Sequence, residues 1–417
     1  MSPSVNETLL PSRRPFVILG NRSCSRVERF QNALTGLGLE PALEVYWTDL
    51  LAGRVCLPNV VEADAIVRIE TPGSAFDAER ALLALGADTP DNEADYARLS
   101  SQETLQLTFD KGCIVNPRQW FLGFQTALKE LERQLAVCQP HALMNIPADI
   151  AVMFDKPRCQ EKLRAAGLPT PRNFGIITSY DDLMERMQQA GCRRVFVKLA
   201  HGSSASGIVA YRMQETQHQA ITTVETVRQN GVLTLYNTRS IRKHSDRETI
   251  AELIDALCRH RACAEEWIPK ASLDGHAFDL RVVVIGGRAC HTVARLSRQP
   301  MTNLHLRNPR RTWEYTRERI GSKAADAALQ TCESAAGCFP HSLHTGVDLL
   351  FASGLKRHAV VELNAFGDLL PGTLHAGEDT YTAEIRAALC LQPETERLKE
   401  KIEEKSKERL KEKLQPC

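Results

Sequence analysis

The sequence predicts a mixed chain: an α/β layer at its N-terminal end, then hairpin-rich α+β sequence. Three observations predict it. Short apolar runs alternate with helical stretches between residues 16 and 85. Two pairs of strand-like runs follow, 194–211 and 279–295, each closed by a short loop. A final pair, 345–351 and 358–364, places polar oxygen-bearing side chains in an apolar strand pattern.

Each element has its own signal. Residues 16–20 (FVILG) form an apolar run ending in glycine, and the stretch from Arg26 to Leu37 has helical spacing. Apolar runs at 43–47 and 65–69, with alanine-rich helical sequence at 76–85, continue the alternation. Residues 120–137 read as an amphipathic helix, and Pro140 and Pro147 mark a boundary. A second unit opens near Ile146. Its first clear helix has Asp155 at the cap, Pro157 in the first turn and Gly167 past the end. Residues 194–198 and 208–211 are strands around the loop 201–207 (HGSSASG). A helix at 247–260 precedes a strand at 263–268. Asp279–Ile285 and Ala289–Arg295 turn at Gly286 and Gly287, and 315–337 reads as helical. Past Pro393 the chain is laced with charge, with Leu398, Ile402, Leu410 and Leu414 on one stripe. The domain limits expected are a polar arm at 1–14, an α/β domain at 15–145, two lobes at 146–268 and 269–392, and a charged helix at 393–417.

Composition excludes several classes. The 417 residues exceed one ordinary core. A net charge of +1 gives no charge-based argument for nucleic acid or a membrane surface. Thirteen cysteines without CxxC pairs argue against a disulfide framework and a structural zinc site, and for a reducing compartment. There is no signal-peptide pattern and no run long enough to span a membrane, so a cytoplasmic location is expected.

The chemistry-bearing residues fall into two groups. Lys198 closes an apolar strand, and the loop behind it offers Ser203, Ser204, Ser206 and Gly207. Small residues let backbone N–H groups approach phosphate oxygens. The loop is neither a Walker sequence nor a dinucleotide fingerprint, since neither motif occurs. Glu362 and Asn364, two apart on a strand, share a face, and Asp348 on a neighbouring segment aims at the same place. Two carboxylates and a carboxamide are hard oxygen ligands suited to Mg²⁺.

The order of these residues resembles the ATP-grasp superfamily, nearest to the ribosomal-protein glutamate ligase and glutathione synthetase type. That order runs from Lys156, through Lys198 and its loop, to the run Glu265, Glu266, Trp267 and Ile268. It continues through Asp279 and Arg281 to Asn303, then to Asp348, Glu362 and Asn364. The resemblance covers roughly 145–390 and implies a pre-ATP-grasp domain before it. It implies that Lys156 and Lys198 contact ATP phosphates. It implies that 265–268 reads adenine, that Asp274 holds the ribose, and that Asn303 lies near the phosphates. Asp348, Glu362 and Asn364 would bind Mg²⁺, with Mn²⁺ as an alternative. Arg281, and Arg295 on the partner strand, would stabilise the charge of transfer. The bland alternative for both arginines is pairing with Asp279 in an exposed bridge of little consequence.

The function expected is an ATP-dependent carboxylate–amine ligase working through an acylphosphate, on a small-molecule or peptide acid and amine. A kinase using the same clasp and a non-catalytic nucleotide-binding or assembly protein are the alternatives. His201 reads as a surface histidine. Arg68–Gly73 reads as a plain turn or an acceptor contact.

Overall fold

The computed structural model describes residues 14–73, 75–94, 96–203, 205–229, 231–366 and 370–393. Apart from Arg14 and Pro393, the expected polar arm and charged terminal helix lie outside these residues. The chain divides into two compact units. One takes residues up to Thr71, 133–144 and those from Tyr381 onward; the other takes 72–132 and 145–380. The division changes over between Met144 and Asn145, one residue from the expected limit at 145, and between Thr380 and Tyr381; it has no boundary at 268 or 392.

In the first unit a parallel sheet has the strand order Leu43–Tyr46, Phe16–Gly20, Ile66–Ile69, Ala142–Leu143. Every residue of Phe16–Gly20 is buried, as a strand covered on both faces requires. Helix Ser25–Gly36 buries Val27, Phe30, Ala33 and Leu34. Arg68 is fully buried between Glu70, at 2.7 Å, and Glu384, at 2.5 Å, on the helix Thr380–Leu389. Its guanidinium is therefore a structural tie between segments distant in sequence, while the turn expected within Arg68–Gly73 falls at its end, at Pro72 and Gly73.

The second unit holds two antiparallel sheets. The first has the order Asn173–Ile177, Ala262–Glu266, Arg194–Leu199, Ile208–Gln214, Gln217–Gln229, Val232–His244. Helices Tyr180–Gln189 and Arg247–Cys258 bury Leu183, Met187, Ile250, Leu253 and Leu257 in the core of this lobe, with Val195, Val197 and Val209 of the sheet. The long hairpin 217–244 was not expected from the sequence. The second sheet has the order Arg310–Thr312, Arg288–Ser297, His276–Ile285, His344–Phe351, His358–Asn364. Helix Ser322–Gly337 packs on it with Ala325, Ala328, Cys332 and Ala335 buried. The helical stretch expected at 315–337 is two helices, broken at Gly321 with φ +84°. Among the described residues no helix is long and apolar enough to cross a membrane.

Candidate functional site

The first cluster stands on the first sheet. Lys198 ends the strand Arg194–Leu199 and pairs with Glu265 on the neighbouring strand; both are buried. Gln160, one helical turn past Lys156, donates to the other Glu265 oxygen at 2.6 Å. Burial would lower the Lys198 ammonium, but Glu265 and then Glu362 outweigh it and hold it above its ordinary range.

The loop behind Lys198 is held at both ends. The Ser206 N–H donates to Ser203 O at 2.8 Å, and Thr223 Oγ1 donates to Ala205 O at 2.8 Å. Gly207 has φ +66°, and a Cβ there would lie 2.3 Å from Leu199 Cδ1, so both backbone angle and space demand glycine. Ser203 is exposed and Ser206 half-buried, while Ser204 lies outside the described residues. Lys156 donates to the Gly202 carbonyl at 2.5 Å and lies 2.8 Å from Glu362 Oε1.

His201, at the root of the loop, is buried rather than on the surface. It stacks on Phe121 at 3.9 Å, and its Nε2 lies 3.2 Å from Asp155 Oδ2. Asp155 also caps helix Lys156–Ala165 through the Arg158 N–H and lies 3.3 Å from Arg261. Burial presses the His201 pKa down to about 4, against the pull of Asp155, so the ring is neutral near pH 7. Burial would raise the Asp155 carboxyl; the His201 hydrogen bond, followed by Arg261, outweighs it and holds it at about 2. One carboxylate thus anchors both the loop 201–207 and the helix that starts at Lys156.

The second cluster lies on one face of the second sheet. Register pairs Asp279 with Arg295, Arg281 with Asp348, and Asp348 with Glu362, so all five side chains share a face. Asn364 pairs with Gly346 on the same face. Arg281 grips Asp348 with two contacts, at 2.5 and 3.0 Å, and Arg295 reaches the same carboxylate at 3.1 Å. Arg295 also holds Asp279 at 2.8 Å, and Lys270 reaches Asp279 at 2.8 Å and Thr302 at 2.7 Å. Burial opposes the charge on both aspartates; Arg281 for Asp348 and Arg295 for Asp279 overcome it and depress both carboxyls. The pairing of Arg295 with Asp279 considered from the sequence does form, but it is buried, within a cluster of three cations and two anions.

Other candidates stand apart. Asp274 is exposed, at a hairpin tip with φ +53°, and its carboxylate is held by Tyr315 at 2.7 Å and Arg311 at 3.1 Å. None of its contacts among the described residues is to another expected site residue. Asn303 opens a short turn over Leu304–Leu306, with its carbonyl accepting from Asn308 at 3.1 Å. The strand expected at 263–268 runs Ala262–Glu266, which leaves Trp267 and Ile268 just beyond it. The Glu266 and Trp267 N–H groups donate to the Arg172 and Arg194 carbonyls, whereas the Ile268 N–H has no partner among the described residues. Trp267 stacks near Phe196 at 5.5 Å and joins an apolar cluster with Ile208, Ile241, Met301 and Leu306. Ile241 and Leu306 gave no sequence signal, nor did Gln160, Lys270 and Thr302, because their roles depend on partners far along the chain.

The donor set fits a hard cation. Glu362 Oε2 and Asn364 Oδ1 have no donor among the described residues, since Lys156 takes Oε1 and the Asn364 nitrogen donates to Gly346 O at 3.2 Å. Asp348, directly opposite Glu362, is held by arginines but retains lone pairs, as a carboxylate offers about four. Among the described residues no group of three or more His, Cys, Asp and Glu could hold a metal; here the third donor is a carboxamide.

No family model matches the sequence, and no curated protein matches it. Solved structures do match in shape. D-cycloserine synthetase DcsG superposes with a TM-score of 0.50 at 12% identity, covering 90% of this chain and 99% of that one. Macrocyclase MdnC bound with precursor peptide MdnA, from Microcystis aeruginosa MRC, gives 0.50 at 11% identity, covering 90% and 99%. D-alanine–D-alanine ligase from Bacillus anthracis complexed with ATP gives 0.51 at 10% identity, covering 91% and 96%. The chain has the ATP-grasp fold. At such identities the likeness concerns the fold alone, and any chemistry rests on this chain's own residues.

Proposed function

We propose that the protein is an ATP-dependent ligase that activates a carboxylate as an acylphosphate and passes the acyl group to an amine. One observation carries this reading: phosphate-binding cations and hard oxygen donors meet in the second unit, where Lys156 joins the loop carbonyl of Gly202 to Glu362. The names of two of the fold relatives, D-alanine–D-alanine ligase and D-cycloserine synthetase, support the same class.

The residues take roles that follow from their settings. The apolar cluster around Trp267 and Ile208 supplies a face for adenine, and the Ile268 N–H, without a partner among the described residues, can donate to its edge. Lys156, Lys198 and the loop N–H groups bind phosphate oxygens. Asp348, Glu362 and Asn364 would hold Mg²⁺, which neutralises phosphate charge and polarises the terminal phosphoryl group. A substrate carboxylate oxygen attacks the terminal phosphorus as the bond to ADP breaks. The amine then adds to the acyl carbon, loses a proton, and phosphate leaves. Arg281 and Arg295 face the growing negative charge from a buried, preorganised position. Asp279 and Lys270 keep Arg295 aimed. Asp274 has no ribose role in this reading, because its carboxylate stands at an exposed hairpin tip among Arg311, Tyr315 and Arg319 and touches no other candidate among the described residues.

The test is a product balance. Purified protein with ATP, Mg²⁺ and panels of acids and amines should release ADP and phosphate in equal amounts. ADP without free phosphate, with a phosphorylated product, would replace the ligase with a kinase. Binding of ATP with neither product would leave a non-catalytic binder.

A further inference from the structure

Charge on the active face of the second sheet is ordered. Glu362 and Asn364 lie on one edge strand, and Asp348 is next to it. Arg281 and Asp279 follow, then Arg295, and Arg310 sits on the opposite edge strand. Strands are spaced at about 4.8 Å, so this row runs roughly 19 Å from acid to base. Register pairs Arg310 directly with Arg295, which puts both guanidinium groups on the same face with side-chain origins about 5 Å apart. Arg281 and Arg295 are buried and held by carboxylates. Arg310 is exposed and has no carboxylate partner among the described residues; its one hydrogen bond to another segment is to the Pro371 carbonyl at 3.1 Å. Gly372, whose φ of +75° favours glycine, lies beside it, with a Cβ position 3.8 Å from Arg310 Nη2, an ordinary contact distance.

We propose that Arg310 binds a second carboxylate of the substrate, and that the acid activated here is a dicarboxylate or an acidic amino acid or peptide. The inference rests on the ligase reading. The metal-binding, acidic side of the row takes the nucleotide, and the reacting carboxylate lies beside Arg281 and Arg295. The next strand over offers Arg310, a cation with no carboxylate partner among the described residues. A guanidinium is a planar fork that matches a carboxylate in two contacts, so it selects by geometry as well as charge. A monocarboxylate would leave Arg310 unused; an acid with a second carboxylate about 5 Å from the first would engage both places.

The probe is glutarate, whose two carboxylates are separated by three methylenes, compared with butyrate, which has one. Protein saturated with Mg·AMPPNP is treated with phenylglyoxal, and adducts on Arg310 and on exposed Arg239 are quantified by peptide mass mapping. Glutarate should slow modification of Arg310 saturably, by about threefold when present at twice its dissociation constant. Butyrate should protect far less, and Arg239 should be unaffected by either. In calorimetry, Arg310→Gln should weaken glutarate binding about tenfold, the loss of roughly one charge-assisted hydrogen bond. Absent protection, equal protection by butyrate, equal slowing at Arg239, or undiminished glutarate binding by Arg310→Gln would each overturn the proposal. Binding of Mg·AMPPNP by the wild-type protein is measured first. Its absence would remove the ligase reading itself, which separates the two failures.

Discussion

Lys156 and Glu362 lie 2.8 Å apart, and the same ammonium reaches the Gly202 carbonyl at 2.5 Å. A single cation therefore bridges the loop 201–207 and the acidic edge of the second sheet. Both partners keep some exposure, 14% and 26%, so giving up this contact carries no large desolvation cost, as the proposed nucleotide and metal binding requires.

Glu362→Gln keeps the shape and an oxygen for Lys156 but removes the charge needed by a divalent cation. Because the pair is partly open, its loss should change stability by less than about 1 kcal/mol. ADP release should fall by at least about 100-fold, the scale for removing one preorganised charge from a transfer site. Urea unfolding and a coupled ADP assay check the two halves. Wild-type turnover in this variant would refute the metal assignment.

Asp279→Ala should behave in the opposite way, as a stability mutant. Asp279 is buried and is shared by Arg295, Lys270 and Thr302. Its removal leaves buried Lys270 without a carboxylate and Arg295 with Asp348 alone, and breaking one side of a buried pair costs about 3–5 kcal/mol. Urea denaturation should show this loss. A cost under about 1 kcal/mol would mean that solvent reaches the cluster far more freely than its burial indicates.

Gly207→Ala tests the loop. The position needs φ +66°, and the added methyl would fall 2.3 Å from Leu199 Cδ1. The left-handed backbone alone costs about 1–2 kcal/mol for an alanine, and the clash adds to it. We expect a lower thermal midpoint together with weaker Mg·AMPPNP binding by calorimetry. An unchanged nucleotide affinity would separate the loop from phosphate binding.

The legible parts of this molecule were those whose signals are local. The strand at 16–20 is a continuous apolar run, Asp155 and Pro157 mark a helix start, and Gly286 and Gly287 mark a hairpin turn; each needs only a few neighbouring residues. The hairpin 217–244 was not legible because its strands are long, polar and half-exposed, and their register slips between Thr222 and Val224, so no clean alternation survives. Within the site, Asp348, Glu362 and Asn364 could be placed on one face by strand periodicity. Lys270, Gln160 and Thr302 could not, because what matters is which buried acid each one meets. Gln160 and Glu265 are 105 residues apart, and no sequence window contains both. His201 was misplaced for the same reason, since its burial depends on Phe121 and Asp155 arriving from other segments.

That His201–Asp155 contact predicts an acid-sensitive stability profile. His201 has a pKa of about 4 in the folded protein against 6.5 for a free imidazole, chiefly because it is buried. As pH falls below 6.5, the unfolded chain binds the proton before the native one does. The stabilisation is thus complete above 6.5, is lost as pH falls toward 4, and then levels off. The difference amounts to about 3 kcal/mol across that window. Asp155, held at about 2 against 3.8, adds a further loss below the histidine window, with the same sign. His201→Gln can still donate to Asp155 from its amide nitrogen but does not titrate. Its unfolding free energy, measured by urea titration at successive pH values, should therefore fall less steeply between 6.5 and 4. Some slope should remain, because burial also depresses half-buried His260 to about 4. If the variant lost stability as steeply as the wild type, His201 would not be the buried neutral imidazole that anchors the phosphate loop.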